Sequence, residues 1–431
     1  MDGLAIPIVA LAIIGFGLVS ARLEDGFITA PMVFTALGYG LGAAFLGLGS
    51  HREEAAFIHV IAEITLVMVL FADASRIDLG LLRRQHDIPV RLLGLGMPLT
   101  IAAGMGLGVV FFGDLGLLGA AVLATLLAPT DAALGQAVVS SEKLPVRVRQ
   151  ALNVESGLND GIALPVLLVF VSLAGAAGHA AGEGGAGHGG GQSLLTFTAL
   201  QVTLGPLVGA VVGMAGGWLL QKSEQFGWVT GPFLRLGALA VAILCFAAAE
   251  EVGGNGFIAA FVGGLAFGNT AKRICPTVHT FAETEGQLLT ILTFLIFGAV
   301  LLPVGLANLN WQVAVYAALS LTVIRMIPVA LSLMGKGLRW ETLAFLGWFG
   351  PRGLASILFA LLVLGKSNFE GRDLVLSVTV VTVLYSIFAH GITAGPLSAL
   401  YARCLERIGR DACVEELKEV EPMPVRVRSR K

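Results

Sequence analysis

Apolar residues run along this chain in long blocks separated by short polar segments. Windows of about 20 apolar residues, the length that crosses a hydrocarbon core, can be laid down thirteen times. They cover residues 3–21, 27–48, 54–74, 90–112, 116–138, 148–175, 193–220, 228–249, 254–270, 284–302, 309–334, 340–364 and 374–401, with the block at 254–270 short and glycine-rich. The pattern predicts an all-α polytopic membrane protein of about thirteen transmembrane helices.

Composition agrees, since 56% of residues are apolar and 13% charged, which no soluble domain of this size would show. A net charge of −2 gives no bulk argument for a nucleic-acid partner. The four cysteines form no CxxC pair and have no metal-ligand spacing, so free thiols are expected. The first apolar run lacks a preceding basic segment and reads as a retained span. Basic residues then orient the chain. With the N-terminus outside, 21 of the 27 lysines and arginines fall in inward loops and the tail, and only Arg52, Lys366 and Arg372 in outward loops. A miscounted helix would invert every later loop, so an N-out, C-in topology follows, with a bacterial or archaeal inner membrane the expected location.

Ionisable residues inside the apolar blocks carry the functional signal. Asp131, Glu155 and Asp160 lie within residues 123–166, and lipid offers a charge no water, so such groups must face a bundle interior or a wet cavity. Pro129 precedes Thr130 and Asp131, and a proline within a helix removes one backbone hydrogen bond and clashes with the preceding turn. The helix is expected to break there, which at membrane depth is tolerated only where the freed groups line a cavity. On the next span Ser156 and Asp160 share one helix face, and Glu155 and Asn159 the neighbouring one.

A second break is expected at Gly350-Pro351-Arg352-Gly353, seven spans later. Paired interrupted helices in corresponding positions point to a midplane site between inverted repeats. Residues 1–175 then form the first repeat, 176–227 an outer loop plus connecting span, 228–401 the inverted second repeat, and 402–431 a short cytoplasmic tail read as a solvated amphipathic helix. Half-helix N-termini carry partial positive charge and C-termini partial negative charge. Asp131 is expected to offset the former and Arg352 the latter; the alternative for Arg352 is an arginine reaching to the interface. The glycine-rich stretch 175–192, with His179 and His188, reads as a flexible outer connection, because such sequence holds no fixed geometry for a metal.

These residues resemble the NhaP/NHE branch of the cation/proton antiporter superfamily, through APTD at 128–131, ESGLND at 155–160 and GPRG at 350–353, with the span layout extending the likeness to about residue 401. The resemblance implies that Asp160 carries the transported cation and proton, that Asn159 goes with electroneutral exchange, and that Thr130, Asp131 and Ser156 line a Na⁺ site. It implies a structural ion pair between Glu155 and an arginine on a later helix, here Arg325 rather than Arg352. It also implies a homodimer. One departure is Ala132 after the TD pair, where many members carry proline. Asp73 and Glu63 are secondary candidates for the ion path, or else are solvated or locally bonded.

The expected activity is exchange of Na⁺ or Li⁺ for H⁺ by alternating access, one for one. Hard cations prefer oxygen ligands; burial disfavours a bare carboxylate and a bound cation favours it, so proton and cation compete for one group. The same argument admits K⁺. A sodium-coupled transporter of an organic solute would need a roomier pocket beside the cation site, and a cation channel would need repeated carbonyl or charged rings. No nucleophile-base pairing or cofactor loop points to an enzyme, and no cofactor is expected. Lys143 should lie on the cytosolic side and His188 outside. Single cysteines at these positions, in a chain lacking native cysteines, should react with an impermeant thiol reagent at 188 only from outside; outside labelling at 143 would reverse the topology.

Overall fold

Helices lie in every apolar block, and the solvent is the reason: hydrocarbon offers backbone groups no partner, so a span must close its hydrogen bonds internally. The computed structural model describes residues 5–24, 27–42, 52–84, 87–182, 190–364, 369–407 and 415–418, and every regular element in them is helical. The chain runs through α1 (Ala5–Glu24), α2 (Ala30–Leu41), α3 (Arg52–Ser75) and α4 (Asp87–Phe111) to a broken pair, α5a (Gly116–Leu126) and α5b (Ala132–Val139). It continues through α6 (Val146–Gly182), α7 (Gly190–Gln225), α8 (Gly231–Glu251), α9 (Gly256–Thr270) and α10 (Cys275–Ile296). Two more broken pairs follow, α11a (Trp311–Leu321) with α11b (Val323–Ser332) and α12a (Trp340–Trp348) with α12b (Leu354–Phe359), before α13 (Arg372–Glu406).

Eight helices among the described residues are long and apolar enough to cross a membrane, and four shorter apolar helices add to them. Between α5a and α5b, and between α12a and α12b, the backbone unwinds at the two expected prolines. A third interruption, at Thr322 (φ −111°, ψ −94°), separates α11a from α11b and had no sequence signal of its own. Pro328 lies six residues further on. Its missing N–H and its ring leave the start of α11b less constrained, and Arg325 sits in that first turn.

Lipid is as apolar as leucine, so helices here associate by close packing rather than by a hydrophobic drive. Gly205, Gly209 and Gly213 form one stripe on α7, where a side chain would collide with the α9 backbone at Asn255, Ala259 and Gly263. On the other side of α9, Gly264 and Gly268 press against Phe71 and Ser75 of α3 in the same way.

Two expectations need correcting. The stretch 175–192 does not start as a loop, because α6 continues to Gly182; residues 183–189, with His188, lie outside the described residues. Nor is the tail simply solvated. A 3₁₀ turn at Glu415–Leu417 returns to the membrane domain and buries Glu416 completely. Glu416 Oε1 accepts the Arg339 backbone N–H at 2.6 Å and the Thr342 hydroxyl at 2.8 Å, and Arg147, in the first turn of α6, donates to Glu415 Oε2 at 2.7 Å. The tail thus ties the start of α6 to the start of α12a. Lys418 and Arg147 hold the Glu415 carboxyl below its ordinary value of 4.5. The contribution is therefore full above that value and fades as pH falls through the depressed one.

Replacing Glu416 by alanine removes the acceptor of the Arg339 N–H and of the Thr342 hydroxyl and is expected to cost about 1–3 kcal/mol. The readouts are a lower unfolding midpoint in detergent and faster tryptic cleavage after Lys418; an unchanged midpoint and cleavage rate would mean that this turn does not hold the tail.

Candidate functional site

The site forms where the unwound stretches of α5 and α12 cross and α6 passes beside them. Each unwound stretch leaves backbone groups without helical partners, and the two stretches supply each other. Arg352, fully buried, donates from Nη1 to the carbonyls of Ala128 at 2.6 Å and Pro129 at 3.0 Å, the carbonyls just beyond the C-terminal end of α5a. Asp131 Oδ2 accepts the Leu354 N–H at 2.7 Å, at the first turn of α12b, while the Asp131 N–H donates to the Pro351 carbonyl at 2.8 Å. The positive guanidinium therefore meets a half-helix C-terminus and the negative carboxylate a half-helix N-terminus, each the favourable sign for the dipole. Ser356 completes the crossing by donating to the Leu126 carbonyl at 2.9 Å.

The glycines of the GPRG motif have a steric reason. A Cβ on Gly350 would overlap the Arg325 guanidinium, and one on Gly353 would overlap Asp131 Oδ2. Both positions bring the break's backbone against a charged group, where only hydrogen fits.

α6 is fastened to the α5 break at one residue. Ser156 Oγ donates to the Thr130 carbonyl at 2.6 Å, and Asn159 Nδ2 donates to Thr130 Oγ1 at 2.5 Å. Thr130, Asp131, Ser156, Asn159 and Asp160 are all buried, with Asp160 the most exposed of the five at 9%. The Asn159 amide oxygen has no hydrogen-bond partner among the described residues, which leaves it able to meet a cation. One residue before Ser156 on α6, Glu155 Oε1 and Arg325 Nη1 form an ion pair at 2.5 Å between side chains only 3% and 2% exposed. Arg352 makes no ion pair of this kind with Glu155 among the described residues.

A narrow cleft leads to this crossing, lined by Val138 and Val139 near the end of α5b, Leu152, Asn153 and Ser156 of α6, Thr130 and Asp131, and Phe349 and Pro351 of the α12 break. Its walls do not include Asp160 or Asn159, which lie about a turn deeper along α6. Past the breaks, Leu126, Leu158, Leu354 and Leu358 belong to one buried apolar cluster. The cleft therefore approaches the site from the end of the bundle that carries the 140–145 loop.

Asp73 and Glu63 are half-buried on α3. The Asp73 carbonyl faces Gly157 of α6, next to Ser156, whereas Glu63 is ten residues, or about 15 Å, further along the helix. No group of three or more His, Cys, Asp or Glu among the described residues is placed to hold a metal ion, so a cation here would draw on hydroxyl, amide and carbonyl oxygens beside its carboxylates. Sequence reasoning missed Asn153, although its spacing of three and seven to Ser156 and Asp160 puts all three on one helix face. It also missed the polar positions Ser386, His390 and Thr393 of α13.

The family described as "Sodium/hydrogen exchanger, transmembrane" matches residues 8–400. The chain is 31% identical over 328 residues to a Na⁺/H⁺ antiporter, NhaH, of Halobacillus dabanensis, covering 71% of this chain and 75% of that protein. It is 25% identical over 405 residues to a K⁺/H⁺ antiporter, NhaP, of Alkalimonas amylolytica, covering 92% and 67%. In fold it is similar to the structure of the sodium proton antiporter MjNhaP1 from Methanocaldococcus jannaschii at pH 8, with a TM-score of 0.74 at 20% identity, covering 93% of this chain and 99% of that one.

Glu155→Gln is expected to destabilise the protein by about 3–5 kcal/mol, because it leaves Arg325 charged and unpaired in the interior, whereas Asp160→Asn should leave the unfolding midpoint nearly unchanged. Thermal unfolding of the purified variants separates the two; a fully stable Glu155→Gln protein would remove the structural role of the pair.

Proposed function

The chain belongs to the sodium/hydrogen exchanger transmembrane family, and from that premise we propose that it exchanges one Na⁺ or Li⁺ for one H⁺ across the membrane by alternating access. The observation that supports this reading is the balance of buried charge at the crossing. Two guanidiniums, Arg325 and Arg352, stand with three carboxylates, Glu155, Asp131 and Asp160. Glu155 is paired with Arg325, and Asp131 caps a half-helix while Arg352 offsets another. Asp160, the most exposed of the three carboxylates at 9%, is the one to which this reading assigns the exchanged ion and proton.

With Asp160 ionised and bare, the set carries one net negative charge; with a proton or a monovalent cation on it, the set is neutral. Moving the bare form through an apolar barrier costs far more than moving either neutral form. Proton and cation thus compete for one carboxylate, and only the loaded carrier crosses. Ser156, Thr130 and the free amide oxygen of Asn159 would complete an oxygen shell with water from the cleft, as a hard cation prefers. Asp131 contributes mainly by holding the break.

A channel would need the opposite arrangement, a continuous polar path past the breaks. The apolar cluster beyond them favours a carrier. Relatives named for Na⁺ and for K⁺ both match the chain, so K⁺ belongs among the cations to be compared. Residues 1–401 would act as one transporter unit made of two inverted repeats, 1–175 and 228–401, joined by 176–227. Its cleft would open to the cytosol, and it would work as a homodimer in an inner membrane.

Asp160→Asn should abolish exchange. For wild type, proton flux in liposomes driven in turn by Na⁺, Li⁺ and K⁺ identifies the cation. One elementary charge moved through 100 mV is worth about 2.3 kcal/mol, so a one-for-one cycle should keep the same reversing Na⁺ gradient at zero and at negative clamped potential. A reversal point that moves with voltage would require a second titrating carboxylate, with Asp131 the first to test.

A further inference from the structure

α13 is apolar through most of its 35 residues. Three polar side chains nevertheless recur at i, i+4 and i+7, namely Ser386, His390 and Thr393, a spacing that places them on one face. That face grips the unwound segment between α12a and α12b. Ser386 Oγ accepts the Arg352 backbone N–H at 2.7 Å. His390 Nε2 lies 2.8 Å from the Trp348 carbonyl, at the last residue of α12a, which also accepts the Gly350 N–H at 2.8 Å, so the ring joins the carbonyl at the turn into the break. Thr393 Oγ1 accepts the Trp348 indole N–H at 3.0 Å, and the Trp348 and His390 rings pack with centroids 5.1 Å apart.

The available donors decide the protonation of the ring. A carbonyl only accepts, so His390 Nε2 carries hydrogen toward Trp348. Ser386 Oγ already receives the Arg352 N–H, and its own hydrogen is free for His390 Nδ1, 3.1 Å away. Together these bonds describe a neutral imidazole. A second proton would turn Nδ1 toward the Ser386 carbonyl, 3.0 Å away, and leave the serine hydroxyl without its acceptor. The charged side chains acting on the ring are Arg352 from the break and Arg325 from α11b, both positive. An imidazolium would therefore add a third positive charge beside two guanidiniums.

We propose that His390 is a positioning residue of the cation site: as a neutral imidazole it clamps the end of α12a and, through Ser386, fixes the Arg352 backbone, so that Arg352 reaches the Ala128 and Pro129 carbonyls and Asp131 caps α12b. It touches neither the cation nor the transported proton. A buried histidine that merely filled space would support folding without affecting the affinity of a site formed by other residues. A clamp on the break sets that affinity, because Thr130 and Asp131 are held by the same crossing.

The inference rests on the exchange reading above, and the test keeps the two apart. Wild type, His390→Ala, His390→Gln and Ser386→Ala are purified, checked for unfolding midpoint, and reconstituted for Na⁺-driven proton flux across a range of pH. Wild type without exchange overturns the exchange reading itself. With an active wild type, His390→Ala should raise the apparent KM for Na⁺ about tenfold, the equivalent of one lost buried hydrogen bond. Glutamine keeps an N–H donor for the Trp348 carbonyl but cannot titrate. It should therefore restore KM to within about threefold and keep the wild-type pH profile. Ser386→Ala should raise KM by at least about threefold, which carries the test if His390→Ala does not fold. A wild-type KM in Ser386→Ala or in folded His390→Ala overturns the proposal. So does a His390→Gln protein as impaired as the alanine variant, or one with a displaced pH profile.

Discussion

Unwinding a helix inside hydrocarbon strands carbonyls and N–H groups at a cost of several kcal/mol each, and here two unwound segments meet and supply one another's partners. Neither break is viable alone. The Ala128 and Pro129 carbonyls need Arg352, the Leu354 N–H needs Asp131, and the Asp131 N–H needs the Pro351 carbonyl. Residues about 220 positions apart in sequence are thereby locked into one junction. Any motion that carries cargo across the membrane costs least when it leaves these bonds intact, so α5, α12 and the α6 segment tied to Thr130 form a natural rigid body.

Burying charge at that junction is tolerable because the signs are arranged locally. Arg325 faces Glu155 directly, whereas Arg352 and Asp131 each face partial charges at half-helix ends. These three interactions hold the frame. Under the proposed exchange, two acids on α6 only five residues apart would have separate tasks: Glu155, paired with Arg325, fixes α6, and Asp160 takes the ion and the proton.

Much of this was legible in the sequence, for physical reasons that differ by element. The spans were readable because lipid forces long apolar blocks, and both breaks were readable because proline cannot donate a hydrogen bond and a charge cannot face lipid. The signs of Asp131 and Arg352 followed from the helix dipole. Other features depend on tertiary contact and left weaker marks. The interruption at Thr322 has no glycine or proline at the kink itself, the nearest proline being Pro328 six residues on. Glu416 looks like one more charge in a solvated tail, because burial by Arg339 and Thr342 has no local signature. The Ser386, His390 and Thr393 stripe does have a signature, the helical spacing of three polar residues in an apolar span, but hydropathy averaged over a window hides it.

Thr130 is bonded twice before any ion arrives: its carbonyl takes the Ser156 hydroxyl and its side-chain oxygen takes the Asn159 amide. A cation that recruits these oxygens must first compete with two hydrogen bonds worth together about 1–3 kcal/mol, roughly a five- to 150-fold loosening of binding. For a storage protein that would be a defect. For a carrier it shortens the dwell time of each passenger, since the same two bonds re-form as the ion leaves and help to drive it off. Under the exchange reading, a site so bonded favours turnover over retention.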